Sequence, residues 1–269
     1  MIDILLPIYN GERFLKQLLD SIVNQTYTDW QIIVRDDCSN DGSMNIIRDY
    51  QSKYPQKIIV VEDTYGNQGT SGCNNLLLHE VNSDYFMFCD QDDIWENKKI
   101  EILMEKMREQ EYKYPQKPIM ICSDACCIDD NNNLLCSSFF ENQKFCEVTG
   151  NVHKLLALNV VQGSTTLMNR KVKETIKNIP NDLFHDWWTA VNVAYYGKVC
   201  YIHKQLIRYR QHQHNVVGAL DIGVKYHLKK ISNLRRQLDI YFSMYRQLSF
   251  KPSILLWVYY KITINLKRL

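Results

Sequence analysis

The chain has 269 residues, 45% of them apolar and 23% charged. That is ordinary globular usage, enough for one large domain with an appendage, and it excludes wholesale disorder, collagen-like repeats and a polytopic membrane protein. With 32 basic against 30 acidic side chains the formal charge is +2, too balanced for a surface built to hold nucleic acid.

Apolar β-like runs alternate with helix-length amphipathic stretches through the first half, the rhythm of βαβ units. Strands are predicted over 2–8, 30–35, 57–61 and 85–89, separated by helices over 12–24, 43–53 and 71–81. A helix over 96–109 leads into a fifth strand over 118–123. The middle is less regular: Asn131-Asn132-Asn133 reads as a turn, 152–158 as a helix and 164–168 as another strand. Beyond Asp221 the pattern is helical only. The first strand begins at residue 2 without a basic leader or small-residue cleavage site, which predicts a cytoplasmic protein. Nine cysteines, odd in number and mostly scattered, read as buried thiols in a reducing compartment; only Cys122, Cys126 and Cys127 cluster, and no second pair completes a zinc site.

Charge divides unevenly. Residues 222–269 hold ten Lys or Arg against the single acid Asp239, leaving 22 basic and 29 acidic side chains in residues 1–221. An acidic body with a basic tail suggests a cleft for cations and a separate surface for something anionic, such as phospholipid headgroups; a solvated helical face is the plain alternative. The run Ile254-Leu255-Leu256-Trp257-Val258-Tyr259-Tyr260 is too short to span a bilayer, so it would lie on one.

Ligands gather at the carboxyl ends of strands in an open α/β sheet. The first strand ends in Pro7-Ile8-Tyr9-Asn10-Gly11 and the second in Asp36-Asp37-Cys38-Ser39-Asn40-Asp41-Gly42-Ser43. Capping explains Asn40, Asp41 and Ser43, whereas two consecutive carboxylates at a strand end favour contact with a base or ribose. After the third strand comes Gly66-Asn67-Gln68-Gly69-Thr70-Ser71-Gly72, a loop whose backbone either approaches a phosphate or is simply a flexible turn. The fourth strand ends in Asp90-Gln91-Asp92-Asp93. Acids are favoured at a helix start, which accounts for Asp93; Asp90 and Asp92 at the mouth of an apolar strand point to a hard divalent cation with a diphosphate.

Taken in order, these motifs resemble the family-2 inverting glycosyltransferases. Val161-Gln162-Gly163-Ser164-Thr165-Thr166, His185-Asp186-Trp187-Trp188 and Tyr209-Arg210-Gln211-His212-Gln213-His214-Asn215-Val216-Val217-Gly218 extend the match, which is similar to the rhamnosyltransferase-like branch. The resemblance implies an α/β, GT-A nucleotide-diphospho-sugar transferase fold: a mostly parallel central sheet flanked by helices, residues 1–220, with a basic amphipathic helical extension over 221–269. It implies nucleotide-sugar binding by Pro7, Tyr9, Asp37, Asn67, Asp90, Asp92 and His212. Mn²⁺ or Mg²⁺ would sit on Asp92 and His212, with His214 a less well-placed substitute, and Asp186 would be the general base. Trp187 and Trp188 would either stack on a sugar or pack the core, and Asp186 alone also reads as a helix cap. Asp124 is a candidate acceptor contact. Asp129-Asp130 is explained by its turn, and the lone His79, His153 and His203 read as surface or core histidines.

The expected activity is transfer of one sugar, rhamnose by branch resemblance, from a dTDP- or UDP-sugar to a lipid-linked saccharide. That places the protein peripherally on an anionic membrane surface at the inner face of the cell membrane, although the helical tail could serve a homodimer as readily. The turn after the first strand lacks the Gly-x-Gly-x-x-Gly of a dinucleotide-dependent oxidoreductase. It equally lacks the Gly-rich, Arg-containing loop of a sugar nucleotidyltransferase, and the chain lacks the spans of a processive membrane synthase. The remaining alternative is a non-catalytic nucleotide-sugar-binding or scaffold subunit, against which Asp90, Asp92 and Asp186 together argue.

Overall fold

The computed structural model describes residues 1–145, 148–212 and 234–268. Strands β1 (Ile2–Ile8), β2 (Trp30–Asp36), β3 (Ile58–Val60) and β4 (Tyr85–Phe88) run parallel in the order β3-β2-β1-β4. Their apolar runs suit strands covered on both faces: Ile4, Leu5, Leu6, Phe86, Met87 and Phe88 are fully buried. The crossovers are α1 (Glu12–Val23), α2 (Ser43–Lys53) and α3 (Gly69–Glu80). In α1, Phe14, Leu15, Leu18, Leu19 and Ile22 recur at helical spacing and are the residues buried. The polar intruder in β1, Asp3, is buried and fully engaged, accepting from the backbone of Asn82 and Ser83 and the side chains of Ser83 and Gln31.

The chain continues through β5 (Ile94–Trp95), α4 (Lys99–Lys113), β6 (Ile119–Ile128), β7 (Leu134–Cys136), α5 (Phe139–Asn142) and α6 (Val152–Ala157). A 3₁₀ turn at Gly163–Thr165 enters β8 (Thr166–Asn169), followed by α7 (Arg170–Ile176), α8 (His185–Tyr196) and β9 (Lys198–Arg210). Here the sheet becomes mixed: β8 lies antiparallel between β4 and β6, β9 runs parallel to β6, β5 closes the edge antiparallel to β9, and β7 pairs off β6. The fifth strand, expected to stop at 123, continues to Ile128 because β9 supplies a partner along its whole length, with bulges around Asp124. The helix expected over 96–109 starts at Lys99, since residues 94–95 are taken up by edge pairing.

Two described helices belong to the extension: α9 (Leu234–Gln247) and α10 (Ile254–Lys267). Both pack on the body. Tyr241, Met244, Leu248, Trp257 and Ile264 join the core shared with α6 and α8, and the Trp257 ring stacks on Tyr241 at 3.7 Å. The expected 220/221 boundary, His214 and the Asn215–Gly218 stretch lie outside the described residues. No described helix is long and apolar enough to cross a membrane. The described cysteines are all free, Cys38 alone fully exposed.

Candidate active site

The carboxyl ends of β1, β2 and β4 open into a cleft of about 1560 Å³. Small-molecule sites typically measure roughly 300–1,000 Å³, so this cleft is larger than a site for one small ligand. The register explains the convergence. Ile8 lies beside Asp36, and the amide of Cys89 donates to the Leu5 carbonyl, so Tyr9, Asp37 and Asp90 emerge side by side.

At one end, Pro7 and Tyr9 line the wall with Asp37. Tyr9 is half exposed and its backbone is clamped by Gln91, whose amide accepts from the Tyr9 N–H and donates to its carbonyl, both at 2.9 Å. Asp37 is buried and anchors the Gly-rich loop, accepting from the amides of Gln68 at 2.7 Å and Gly69 at 2.8 Å, and from Arg35 at 2.7 Å. Burial pushes the Asp37 carboxyl up, but donors from Gln68, Cys73, Arg35 and Gly69 outweigh it and hold the group below its usual range. Arg35 itself is fixed by a two-point contact to Asp63.

In the centre, Asp90, Gln91 and Asp92 line the cleft while Asp93 turns inward, fully buried. Burial and the neighbouring charges of Asp92 and Asp186 push Asp90 up to about 7, and burial with Asp92 and Asp90 pushes Asp93 well up. Two buried cations support these acids. Lys99 sits 3.2 Å over the Trp95 ring and donates to the Ser164 carbonyl at 2.6 Å; burial lowers it to about 7. Arg210 donates to the Asp92 carbonyl at 2.8 Å, to Gln17 at 2.8 Å and to Asn132 at 2.7 Å, while its amide meets Asp93 at 3.1 Å. Two residues past the end of that strand, His212 has Nε2 2.7 Å from Asp92 Oδ2 and its ring stacked on Phe14. One carboxylate oxygen with diphosphate and water would suit Mn²⁺ or Mg²⁺, and an imidazole nitrogen beside them would favour Mn²⁺, since Mg²⁺ prefers oxygen ligands. Among the described residues no group of three or more His, Cys, Asp or Glu side chains is placed to hold a metal, so the diphosphate is needed for the fit.

Across the cleft, α8 begins at His185, whose ring meets Phe88 edge-on at 4.7 Å and so joins the helix start to the end of β4. Gly163 allows this approach: a Cβ there would lie 2.5 Å from His185 Nε2. Asp186 follows, partly buried and facing the cleft. Burial pushes it up to about 6, against donors from Trp187, Gly163 and Asn159; the Asn159 amide lies 3.3 Å from its Oδ1.

Pro7, Tyr9, Asp37, Asp90, Asp92, His212 and Asp186 are therefore brought to one cleft. Asn67 stands one step back, its amide donating to the Asp37 carbonyl at 2.9 Å. Neither tryptophan lines the cleft: Trp187 donates to the Leu155 carbonyl and Trp188 to that of Asn178, both within the core, so packing and not sugar stacking explains them. The expectation for Asp124 is corrected as well. It is buried, with Ser138, Gln205 and the amides of Ala125 and Phe140 around its carboxylate, and it tethers α5 to β6. Asp129 bonds its own turn at Asn131 and Asn133, and Asp130 pairs with Arg13 at the cleft rim. Gln91, Lys99, Asn159 and Arg210 carry the site without a role predicted from the sequence, although Gln91 and Arg210 both lie within motifs.

A parallel half-sheet whose carboxyl ends open into the cleft, faced by a partly buried carboxylate at the start of α8, is an arrangement compatible with a transferase. Solved structures share this GT-A fold. The mannosyltransferase PcManGT from Pyrobaculum calidifontis, in complex with GDP-Man and Mn²⁺, superposes with a TM-score of 0.68 at 17% identity, covering 99% of this chain and 70% of that one. TarS 1–349 of S. aureus gives 0.63 at 13%, covering 96% and 68%. The chain belongs to glycosyl transferase family 2, whose description matches residues 3–176. Among curated relatives, dTDP-rhamnosyl transferase RfbG of Shigella flexneri is 29% identical over 246 residues, 85% of this chain and 78% of RfbG. The putative teichuronic acid biosynthesis glycosyltransferase TuaG of Bacillus subtilis is 31% identical over 110 residues, 41% of this chain and 43% of TuaG. The chain thus spans most of RfbG and less than half of TuaG.

Proposed function

We propose that the chain is an inverting glycosyltransferase of surface polysaccharide synthesis, moving one sugar from a nucleotide diphosphate to a lipid-linked saccharide at the inner face of the cell membrane. The observation that carries this reading is the placement of Asp186 in the same cleft as Asp90, Asp92 and His212. The donor would be a dTDP- or UDP-sugar, and of these dTDP, with rhamnose as the sugar, is supported by the likeness to RfbG. Pro7 and Tyr9 would flank the base, Asp37 would fix the loop against it, and Asp90 would approach the ribose. A divalent cation on Asp92 and His212, when bound, would offset the charge that gathers on the leaving diphosphate.

Direct displacement needs a carboxylate to take the acceptor hydroxyl's proton, a contribution on the order of 10²–10⁴ in rate. Asp186, raised to about 6, is ionised at neutral pH yet a stronger base than an exposed aspartate. The donors of Trp187, Gly163 and Asn159 keep it from rising further.

The test is a thermal-shift panel with dTDP, UDP, GDP and CMP, each with and without Mn²⁺, since a bound ligand stabilises the fold with occupancy. A metal-dependent shift for dTDP or UDP that disappears in Asp92→Asn is expected. Asp186→Asn should keep that shift and lose transfer. No shift with any nucleotide would move the reading to the scaffold subunit.

A further inference from the structure

Helix α10 has two faces of unequal explanation. Its inner face is fastened to the cleft wall: Trp257 Nε1 donates to the Leu156 carbonyl at 3.2 Å, Lys261 Nζ to that of Ala157 at 2.9 Å and Arg268 Nε to that of Gln143 at 3.0 Å. Its outer face is apolar and stands in water. Leu255 is 83% exposed, Leu266 62%, Tyr259 58% and Ile262 55%, and with Val258 they recur at i, i+3, i+4, i+7 and i+11, one uninterrupted stripe opposite Trp257 and Ile264. A surface helix of a globular protein normally turns a polar face outward; this one does not, so the stripe calls for a cover.

We propose that the outer face of α10 is the surface by which the protein seats on an anionic lipid bilayer. Charge decides in favour of lipid. From Ile240 to Leu269 there is no acidic residue, and the 222–269 segment carries ten basic side chains against Asp239. Lys267 at the C-terminal end of the helix is exposed, where basic residues meet lipid headgroups, and Tyr259 is a side chain suited to the water–lipid boundary. Length decides the orientation: 14 residues make a helix of about 21 Å, too short to cross and suited to lying flat with its stripe in the interface. A second copy is the weaker cover, because one helix face of that length offers on the order of a few hundred Å², short of the roughly 800 Å² per partner of a stable interface.

The purpose of the seat rests on the lipid-linked acceptor proposed above. Because the inner face of α10 holds the segment that continues into Leu158–Val161 and Asn159 beside Asp186, the bilayer would lie about one helix diameter, roughly 10 Å, from that part of the cleft wall.

The experiment is co-sedimentation of the full chain with vesicles of phosphatidylcholine alone and with 30% phosphatidylglycerol, beside the triple variant Leu255→Gln/Ile262→Gln/Leu266→Gln, which keeps good helix formers and leaves the core side untouched. Expected are binding to the anionic vesicles, weakening as NaCl rises from 0.05 to 0.5 M, and a drop in partitioning on the order of tenfold or more in the variant. The nucleotide-induced thermal shift of the same samples should be unchanged, which shows the variant folded and separates this inference from the transferase reading. Wild-type protein that takes up nucleotide but stays in the supernatant with both vesicle types overturns the proposal. So does a wild-type dimer that the variant converts to monomer, which would assign the stripe to a second copy.

Discussion

Removing the amide that faces Asp186 should move the acid limb of the reaction. In wild type the Asn159 amide, 3.3 Å from Asp186 Oδ1, favours the carboxylate, and burial with its other contacts sets Asp186 at about 6. Asn159→Ala deletes a donor to a charged group. At this length the bond is worth about 1 kcal/mol, which at 1.36 kcal/mol per pH unit is a rise of about 0.7. The sign follows from the group: a donor lost from the charged form raises the pKa, so the base is lost to protonation at higher pH. At pH 8 both proteins have an almost fully ionised base and should turn over alike, whereas at pH 6 the ionised fraction falls from about a half to about a sixth, a roughly threefold loss. The assay is kcat against pH at saturating donor. Asp90, raised to about 7, also titrates in this range, so the limb belongs to coupled groups; the difference between the two profiles isolates the Asn159 contribution. A variant slower at pH 8 with an unmoved limb would refute the reasoning, because the loss would then come from the Val161 turn that Asn159 also holds.

Other consequences can be measured separately. Asp90 is raised, so its contribution to stability is present below about pH 4 and lost as the pH climbs through about 7; Asp90→Asn should therefore raise the thermal midpoint of the ligand-free chain at pH 8 and leave it nearly unchanged at pH 4, read by calorimetry. Arg210→Met removes the fork that holds the Asp92 carbonyl, Gln17 and Asn132, and should cost about 3–5 kcal/mol in urea unfolding as a broken buried charge network; a loss under 1 kcal/mol would show that the loop holds itself. Gly163→Ala places a methyl 2.5 Å from His185 Nε2, so the start of α8 must shift, and kcat should fall on the order of 10²-fold while the donor thermal shift persists. Gly197→Ala meets the Pro118 carbonyl at 1.9 Å and should lower the folded yield without any active-site rationale.

Legibility in the sequence followed locality. Each of β1, β2 and β4 is an apolar run whose next residues line the cleft, so the placement of Asp37, Asp90 and Asp92 could be read from strand and turn, whereas Tyr9 needed the family resemblance. β9 could not: His203, Lys204 and Gln205 interrupt its apolar pattern and are exposed, and it exists because β6 pairs with it. Asp124 misled for the same reason. A carboxylate after five strand-forming residues looks like a strand end until the partner strand prolongs it and Ser138 and Gln205 enclose the charge. Trp187 and Trp188 follow the candidate base directly, yet helical rotation turns both indoles to backbone carbonyls of the core. Gln91 had a visible signal, a neutral amide between acids; Asn159 had none, since its partner is 27 residues away.

The division between the two ends of the cleft runs along the chain. The family match ends at residue 176, and within it lie Tyr9, Asp37, Asp90 and Asp92 of the cleft together with Asn159, whose amide faces Asp186. Asp186, Arg210, His212 and α10 all come later. His185 on Phe88 and Arg210 on the Asp92 carbonyl are the contacts through which this later part reaches the earlier one. Both involve buried groups whose displacement disturbs the acids at the end of β4, so the later part cannot vary freely where it touches the centre. It can vary at the wall held by α10, where the bonds from Trp257, Lys261 and Arg268 reach only backbone carbonyls and place little demand on the identity of the side chains facing the cleft. On the transferase reading proposed above, the donor end would be constrained by side-chain contacts and the wall held by α10 by backbone contacts, which leaves that wall as the part of this fold most open to change.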